Sequence, residues 1–178
     1  CKPRVIVAEY NAKLRDKIQW ECDYDENLEW DGSDQFSASL KSFELMLNKK
    51  IIVVTGGAGL LGSRFCSAIA EQSGTAIIAD LDMAAAEAVA EKIIANGGKA
   101  EAAALNITDS ISVDSLISTL NERYGRIDAV VNNAYPRNKN YGRKLEDVTY
   151  TDFCENVSMH LGGYFLVAQK FGLYFREH

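Results

Sequence analysis

A doubly wound parallel α/β sheet is the fold class this sequence predicts, and two observations predict it. The first is a short β-branched run, Ile51 to Thr55, that leads straight into the glycines Gly56, Gly57, Gly59 and Gly62. A run that is short, β-branched and bounded by glycine reads as a parallel strand buried on both faces. The second is the rhythm downstream of Lys49, where strand-like and helix-like segments alternate; that pattern implies parallel strands joined by right-handed crossovers. The 178 residues suit one α/β domain of ~100–200 residues, or one domain with an extra piece.

Each element has its own justification. After the glycine turn, Leu60 to Gln72 is predicted as a helix, and "TAIIAD", Thr75 to Asp80, as the second strand. Met83 to Asn96 is rich in Ala and Glu, good helix formers, and stops at Gly97 and Gly98, where a left-handed cap is easiest. "KAEAAALNI" follows as a third strand. Beyond Asp109, Val113, Leu116, Ile117, Leu120 and Tyr124 recur at helical spacing until Gly125. "RIDAVVNNA" is the fourth strand, and the segment from Thr151 to His178 reads as one long helix. Phe153, Val157, Leu161, Tyr164, Phe165, Val167, Phe171, Tyr174 and Phe175 make it apolar around too much of its circumference for a solvated surface.

Residues 1–45 do not continue the rhythm and are expected to form an appendage of strand, acidic loop and helix, with a domain boundary near Met46. The strand is "RVIVAEY" and the helix "DQFSASLKSFELML", with Asp34 as its cap. The loop between them, "ECDYDENLEWDGSD", carries seven acidic residues and no basic one. Asp23, Asp25 and Asn27 stand at the first calcium-loop spacings, but Leu28 replaces the turn glycine and Asp34 the closing Glu, so a solvated loop is expected.

The composition narrows the partners. A formal net charge of -6 argues against nucleic acid or an anionic membrane, both of which need a basic patch, and no local basic cluster stands out. Cys1, Cys22, Cys66 and Cys154 show no close paired spacing, which favours reduced thiols over zinc or disulfides. No metal site is expected. With no long apolar run and no basic-then-apolar leader, the expected location is the cytoplasm.

The glycine turn carries the chemistry. "GAGLLG" is G-x-G-x-x-G, with Gly57, Gly59 and Gly62 in the three positions, after a strand and before a helix. One glycine permits the tight turn, one lets backbone approach a pyrophosphate, and one lets the helix lie close on the strand. The helix amino end offers N–H groups and a partial positive charge to phosphates. The same Rossmann-type pattern requires an acidic residue ~20 positions on for the ribose hydroxyls. Asp80 stands 18 positions after Gly62. With Leu81 and Asp82 beside it and no cation, NAD is expected rather than NADP.

From about Met46 to His178 the chain resembles the short-chain dehydrogenase/reductase family. "TGGAGLLG" is similar to its cofactor loop, "AIIAD" to its second strand, "VVNNAY" to its fourth strand and "ENVSMHLGGYFLVAQ" to its fifth helix. More narrowly, "NNAYPRNKNYGRKLEDVTYTDFCENV" resembles oxidoreductases of bacterial surface-sugar and flagellin-glycan pathways related to legionaminic acid synthesis, while residues 1–45 faintly resemble methyltransferase-like proteins of polysaccharide gene clusters, as if two neighbours were joined. The resemblance implies a Rossmann-type sheet cut after its fifth helix. It implies a dinucleotide held by Thr55, Gly56, Gly57, Gly59, Leu60, Leu61 and Gly62, by Asp80 and Leu81, by Asn106 and Ile107, and by Asn133, Ala134 and Tyr135, with Asn132 nearby. A sugar-type small-molecule substrate of the full-length enzyme and a homo-oligomer through the last helix are implied as well.

Departures accompany the matches. Leu60 and Tyr135 stand where the family has glycine, and Asn106 where it usually has Asp; an Asn can still accept a hydrogen bond from an adenine amine. Of the family's catalytic four, only the helix asparagine is present, as Asn156, which reads equally well as a buried helix polar residue bonded to water. The Ser and the Tyr-x-x-x-Lys pair lie beyond the fifth helix in the family, and no residue here replaces them: Tyr164 is followed by Ala168 at the lysine spacing and Tyr174 by His178. Two readings follow. One is the cofactor-binding half of an NAD(P)-dependent oxidoreductase, inactive by itself. The other is a non-catalytic nucleotide-binding or assembly module.

Overall fold

The computed structural model describes residues 46–178, so the expected strand, acidic loop and helix of the first 45 residues lie outside it. Four parallel strands form one sheet in the order β3-β2-β1-β4: β1 Ile51–Thr55, β2 Thr75–Asp80, β3 Lys99–Ala104 and β4 Ala129–Val131. Helices α1 (Leu60–Glu71), α2 (Met83–Ala95) and α3 (Ser110–Tyr124) make the crossovers. A last helix runs through α4 (Tyr150–Val157), a π-turn Ser158–Gly162 and α5 (Gly163–Glu177).

Strand periodicity sorts the core into two layers. Ile51, Val53, Ile77 and Ala79 face Leu116 and Leu120 of α3 and Val167, Phe171 and Tyr174 of α5. Ile52, Val54, Ala76 and Ile78 face Cys66 and Ile69 of α1 and Ala86, Ala90 and Ile93 of α2. Because both faces of β1 are covered, every one of its residues is buried, which is why it reads as an unbroken apolar run rather than an alternating one. Among the described residues Cys66 and Cys154 are free thiols, and burial pushes the Cys66 thiol up to about 12.

Three predicted elements come out shorter or broken. The third strand ends at Ala104 instead of Ile107, because Asn106 turns the chain: its side-chain oxygen accepts from Thr108 N at 3.0 Å and its own N–H donates to Ser112 Oγ at 2.9 Å. The fourth strand keeps only three of its nine predicted residues, since side chains replace the ladder at both ends. At its start Ile51 N donates to the Asp128 carboxylate at 2.9 Å, and Lys50 and Arg126 pair with the same carboxylate. At its end Asn133 N and Ala134 N donate to the Thr55 hydroxyl at 2.9 and 3.0 Å.

The long helix contains a π-turn that the 3.6-residue pattern did not anticipate. It falls where Gly163 meets Ile107: a Cβ on Gly163 would lie 2.7 Å from Ile107 Cδ1. Val167, Phe171 and Tyr174 are buried, and the Tyr174 hydroxyl accepts from Ile127 N and donates to Asn121 Oδ1, tying α5 to α3 and to the entry of β4. Phe153, Leu161 and Phe165 stay well exposed, 59%, 67% and 63% respectively. No helix among the described residues is long and apolar enough to cross a membrane, and no cluster of His, Cys, Asp and Glu among them is arranged to hold a metal.

Candidate dinucleotide site

The carboxyl ends of the strands open into a cleft of about 480 Å³. In a parallel α/β sheet that end, where crossovers leave in opposite directions, is where ligands bind. Here β1 sits between β2 and β4, so the loop after β1 lies at the crevice.

That loop is built by close approach. Gly56 has φ of 63°, a left-handed backbone that a side chain would strain, and a Cβ there would lie 2.8 Å from Ala134 Cα. A Cβ on Gly62 would lie 2.1 Å from the Gly56 carbonyl oxygen. With Gly59 as N-cap and no side-chain cap bond, α1 starts with N–H groups that have no partner within the helix, and its first turn carries no acidic residue. Asp80, at the end of β2, fixes the loop from the neighbouring strand: its carboxylate accepts from Ala58 N at 3.0 Å and from Asp82 N at 3.1 Å. The spacing predicts a ribose partner at Asp80 and says nothing of a loop clamp, which depends on β1 and β2 being in register.

Gly56, Gly59, Leu60, Leu61, Gly62, Asp80, Leu81, Asn106, Ile107, Asn133, Ala134 and Tyr135 all line this cleft. Thr55 and Gly57 do not; they lie beneath it. Thr55 is fully buried and takes the two N–H groups that aim Asn133 and Ala134. Gly57 is buried against β2, where a Cβ would meet Ile78 Cγ2 at 2.9 Å. The amide of Asn133 donates to the carbonyls of Thr55 and Gly56, so this residue ties the glycine loop to β4. Asn132 points its amide to the Tyr164 carbonyl at 3.0 Å. The Asn106 side-chain oxygen already accepts from both the N–H and the hydroxyl of Thr108, which corrects the expectation that it is free to accept from an adenine amine and leaves its amide NH₂ for a ligand.

Asn156 stands apart from this cleft. Its Oδ1 accepts from Asn138 N at 3.1 Å and so holds the segment after β4 to the last helix, while its Nδ2 donates to the Asp152 carbonyl one turn back in its own helix at 2.8 Å and fixes the amide's orientation. Buried Asp152 is the centre of that attachment. Hydrogen bonds from Asn140, then Thr149 and Asn138, draw its carboxyl down to about 2. A depressed pKa means the unfolded chain binds the proton first as pH falls, so this contribution is full above about 4, the ordinary carboxylate range, and is lost on the way down to about 2. Asp152→Asn is therefore expected to lower the melting temperature at pH 7, with the gap to wild type closing between pH 4 and pH 2. A gap that persists unchanged at pH 2 would count against it.

Three residues in or beside the cleft were missed by sequence reasoning. Leu105, Pro136 and Arg137 also line it. Arg137 belongs to a local basic cluster, Arg137, Lys139, Arg143 and Lys144, that corrects the expectation of none; the overall acidity of the chain masks it. The Tyr-x-x-x-Lys spacing also occurs at Tyr135 and Lys139. Residues 132–138 are not helical, so that spacing does not stack the two side chains, and the Tyr135 hydroxyl pairs with Tyr141 at 3.0 Å instead.

The family model for short chain dehydrogenases matches residues 50–177. The chain belongs to the short-chain dehydrogenase family. It is 33% identical over 135 residues to the post-translational flagellin modification protein A of Campylobacter coli, covering 74% of this chain and 52% of that protein. Over 90 residues it is 38% identical to galactitol 2-dehydrogenase of Agrobacterium fabrum, covering 51% of this chain and 34% of the relative. Among solved structures, the 3-ketoacyl-(acyl-carrier-protein) reductase of Brucella melitensis, complexed with NADH, superposes with a TM-score of 0.64 at 29% identity, covering 74% of this chain and 52% of that one. The family member described here thus spans about half the length of the flagellin protein and of the reductase.

Proposed function

We propose that this chain is the dinucleotide-binding half of an NAD-dependent oxidoreductase acting on a sugar, a polyol or a sugar nucleotide in surface polysaccharide or flagellin glycan biosynthesis. The observation that supports it most is the joint geometry of Gly62 and Asp80. One lets α1 start against the loop backbone, and the other holds Ala58 N–H while lining the cleft. These residues fit a dinucleotide: N–H groups at the start of α1 for a pyrophosphate, and a carboxylate for the ribose hydroxyls. When bound, the nicotinamide would supply hydride chemistry; the residues of this chain bind and orient it. The galactitol enzyme and the flagellin protein among the relatives support a hydroxylated substrate and a glycan setting.

The second reading, a nucleotide-binding or assembly module, draws on the exposed apolar side of the last helix, Phe153, Val157, Leu161 and Phe165. The same face suits association of two copies in either reading. Calorimetric titration with NAD and NADP, run beside NADH formation over a panel of polyols and sugars, separates the two. NAD is expected to bind more tightly than NADP, because the Asp80 carboxylate repels a 2′-phosphate. Asp80→Ala should weaken NAD by about tenfold or more, the worth of charge-assisted hydrogen bonds, and shrink its advantage over NADP. Turnover by this chain alone is expected to lie below detection, since losing general acid–base help by itself costs ~10²–10⁴ in rate. Tighter binding of NADP to the wild type would overturn the role given to Asp80.

A further inference from the structure

Beside the dinucleotide cleft lies a second one of about 300 Å³, between the segment after β4 and the last helix. Tyr135 lines both. Its ring stacks on His160 with centroids 3.8 Å apart and meets Tyr141 edge-on at 5.9 Å, and Phe153 lines the same space. The wall is aromatic, with hydroxyls at its rim, and the buried Nε2 of His160 has no hydrogen-bond partner among the described residues.

The polar side chains in and beside this cleft divide into engaged and free. The oxygens of Asp152 accept from Asn138, Asn140 and Thr149, and Asn156 is used at both ends, so these groups hold the loop rather than a ligand. Arg137 lines the adjoining dinucleotide cleft, but it lies over two rings of this wall, Tyr141 and Tyr135, 5.4 and 6.0 Å from their centroids, and so stands at the border of the two; it makes no ion pair among the described residues. Lys139, Arg143 and Lys144 follow within seven positions, exposed and also outside the ion pairs, before Glu146 and Asp147 reverse the sign. An acidic chain that gathers four uncommitted cations beside an aromatic cleft has there the means to attract and hold an anion.

We propose that the second cleft binds a sugar bearing an anionic group, with the C–H face of its ring on the Tyr135, Tyr141 and His160 wall and its phosphate or carboxylate on Arg137. Aromatic rings with a polar handle suit a ligand that is apolar on one face and hydroxylated at its edge. A guanidinium held over two rings is pre-placed to take two anion oxygens at once. That this ligand is the substrate rests on the reading above that a dinucleotide occupies the adjoining cleft; its chemistry does not.

The test titrates the chain, with and without NAD, with D-glucose, D-glucose 6-phosphate, D-glucuronate and inorganic phosphate. At low salt at least one charged sugar is expected to bind about tenfold more tightly than D-glucose and more tightly than inorganic phosphate. Which of the two wins identifies phosphate or carboxylate. The preference should fade as salt shortens the screening length from about 30 Å at 0.01 M toward about 3 Å at 1 M. Arg137→Gln should remove the preference for charge, while His160→Ala, which removes a ring of the wall that Arg137 does not lie over, should weaken every sugar and leave that preference in place, with melting temperatures reporting that both variants fold. Equal affinity for D-glucose and the charged sugars, inorganic phosphate binding as tightly as the sugar phosphate, or no sugar binding to a chain that binds NAD would each overturn the inference. Discrimination of charged sugars by a chain that does not bind NAD would leave the site standing and overturn the dinucleotide reading instead.

Discussion

Gly62→Ala is expected to abolish dinucleotide binding and to destabilise the fold. The added Cβ would lie 2.1 Å from the carbonyl oxygen of Gly56 and 2.8 Å from Gly57 Cα. Both contacts are backbone, so no flexible side chain can swing aside; α1 or the loop must move. Overpacking of this kind costs about 1–3 kcal/mol when the surroundings can relax, and here the displaced element is the helix whose amino end faces the cleft. We therefore expect the melting temperature to fall and NAD affinity to drop by at least about a hundredfold, the worth of losing one or two hydrogen bonds from the start of α1 to a charged phosphate, at about 1.5–3 kcal/mol each. Gly59→Trp is the informative comparison, because a Cβ at Gly59 meets only the Gly56 oxygen, at 3.2 Å, while the position lines the cleft. Its bulk should block the ligand and leave the fold largely intact. Wild-type affinity in Gly62→Ala would show that the close approach of helix and loop is not what the site requires.

Thr55→Val should be the most costly near-isosteric change in the core. The side chain is fully buried, and its hydroxyl oxygen accepts from Asn133 N at 2.9 Å and Ala134 N at 3.0 Å. Valine keeps the volume and the branched shape but leaves two partly buried N–H groups without an acceptor, toward the lower end of the about 1–3 kcal/mol that each costs when fully buried. A loss of roughly 2–4 kcal/mol would lower the melting temperature by roughly 10 °C for a domain of this size. Binding should suffer too, because those two bonds aim Asn133, Ala134 and Tyr135 into the cleft. Thr55→Ser, which retains the hydroxyl, is expected to recover most of both effects. Unchanged stability in Thr55→Val would mean that water takes over the two donors.

The two experiments also separate kinds of legibility. Gly62 was visible in the sequence because the requirement it meets is local: a strand, a tight turn and a helix within a dozen residues, with glycine the one residue small enough. Asp80 was visible for a related reason, since β1, α1 and β2 form a single unit whose length fixes where the acidic residue must stand. The role of Thr55 was not visible. A threonine inside a β-branched run looks like strand packing, and its partners lie 78 and 79 positions away. The same distance hid Asp128, whose carboxylate takes the Ile51 N–H across the sheet, and so hid the shortness of β4.

What the sequence determined by itself was therefore the order of strands and helices, the burial of β1, and the glycine turn with its acidic partner, all of which follow from periodicity and from local steric limits. Only the tertiary structure decided the rest. It placed β1 between β2 and β4, so that a crevice opens above its loop. It turned Asn156 and Asp152 into fasteners of one loop, set Tyr135, Tyr141 and His160 around a second cleft, and laid Arg137 over two of those rings. The physical reason is the range of the forces involved: backbone sterics and hydrophobic period act over a few residues and leave a pattern in sequence, whereas a hydrogen bond or ring contact between distant positions leaves none until the sheet brings the two together.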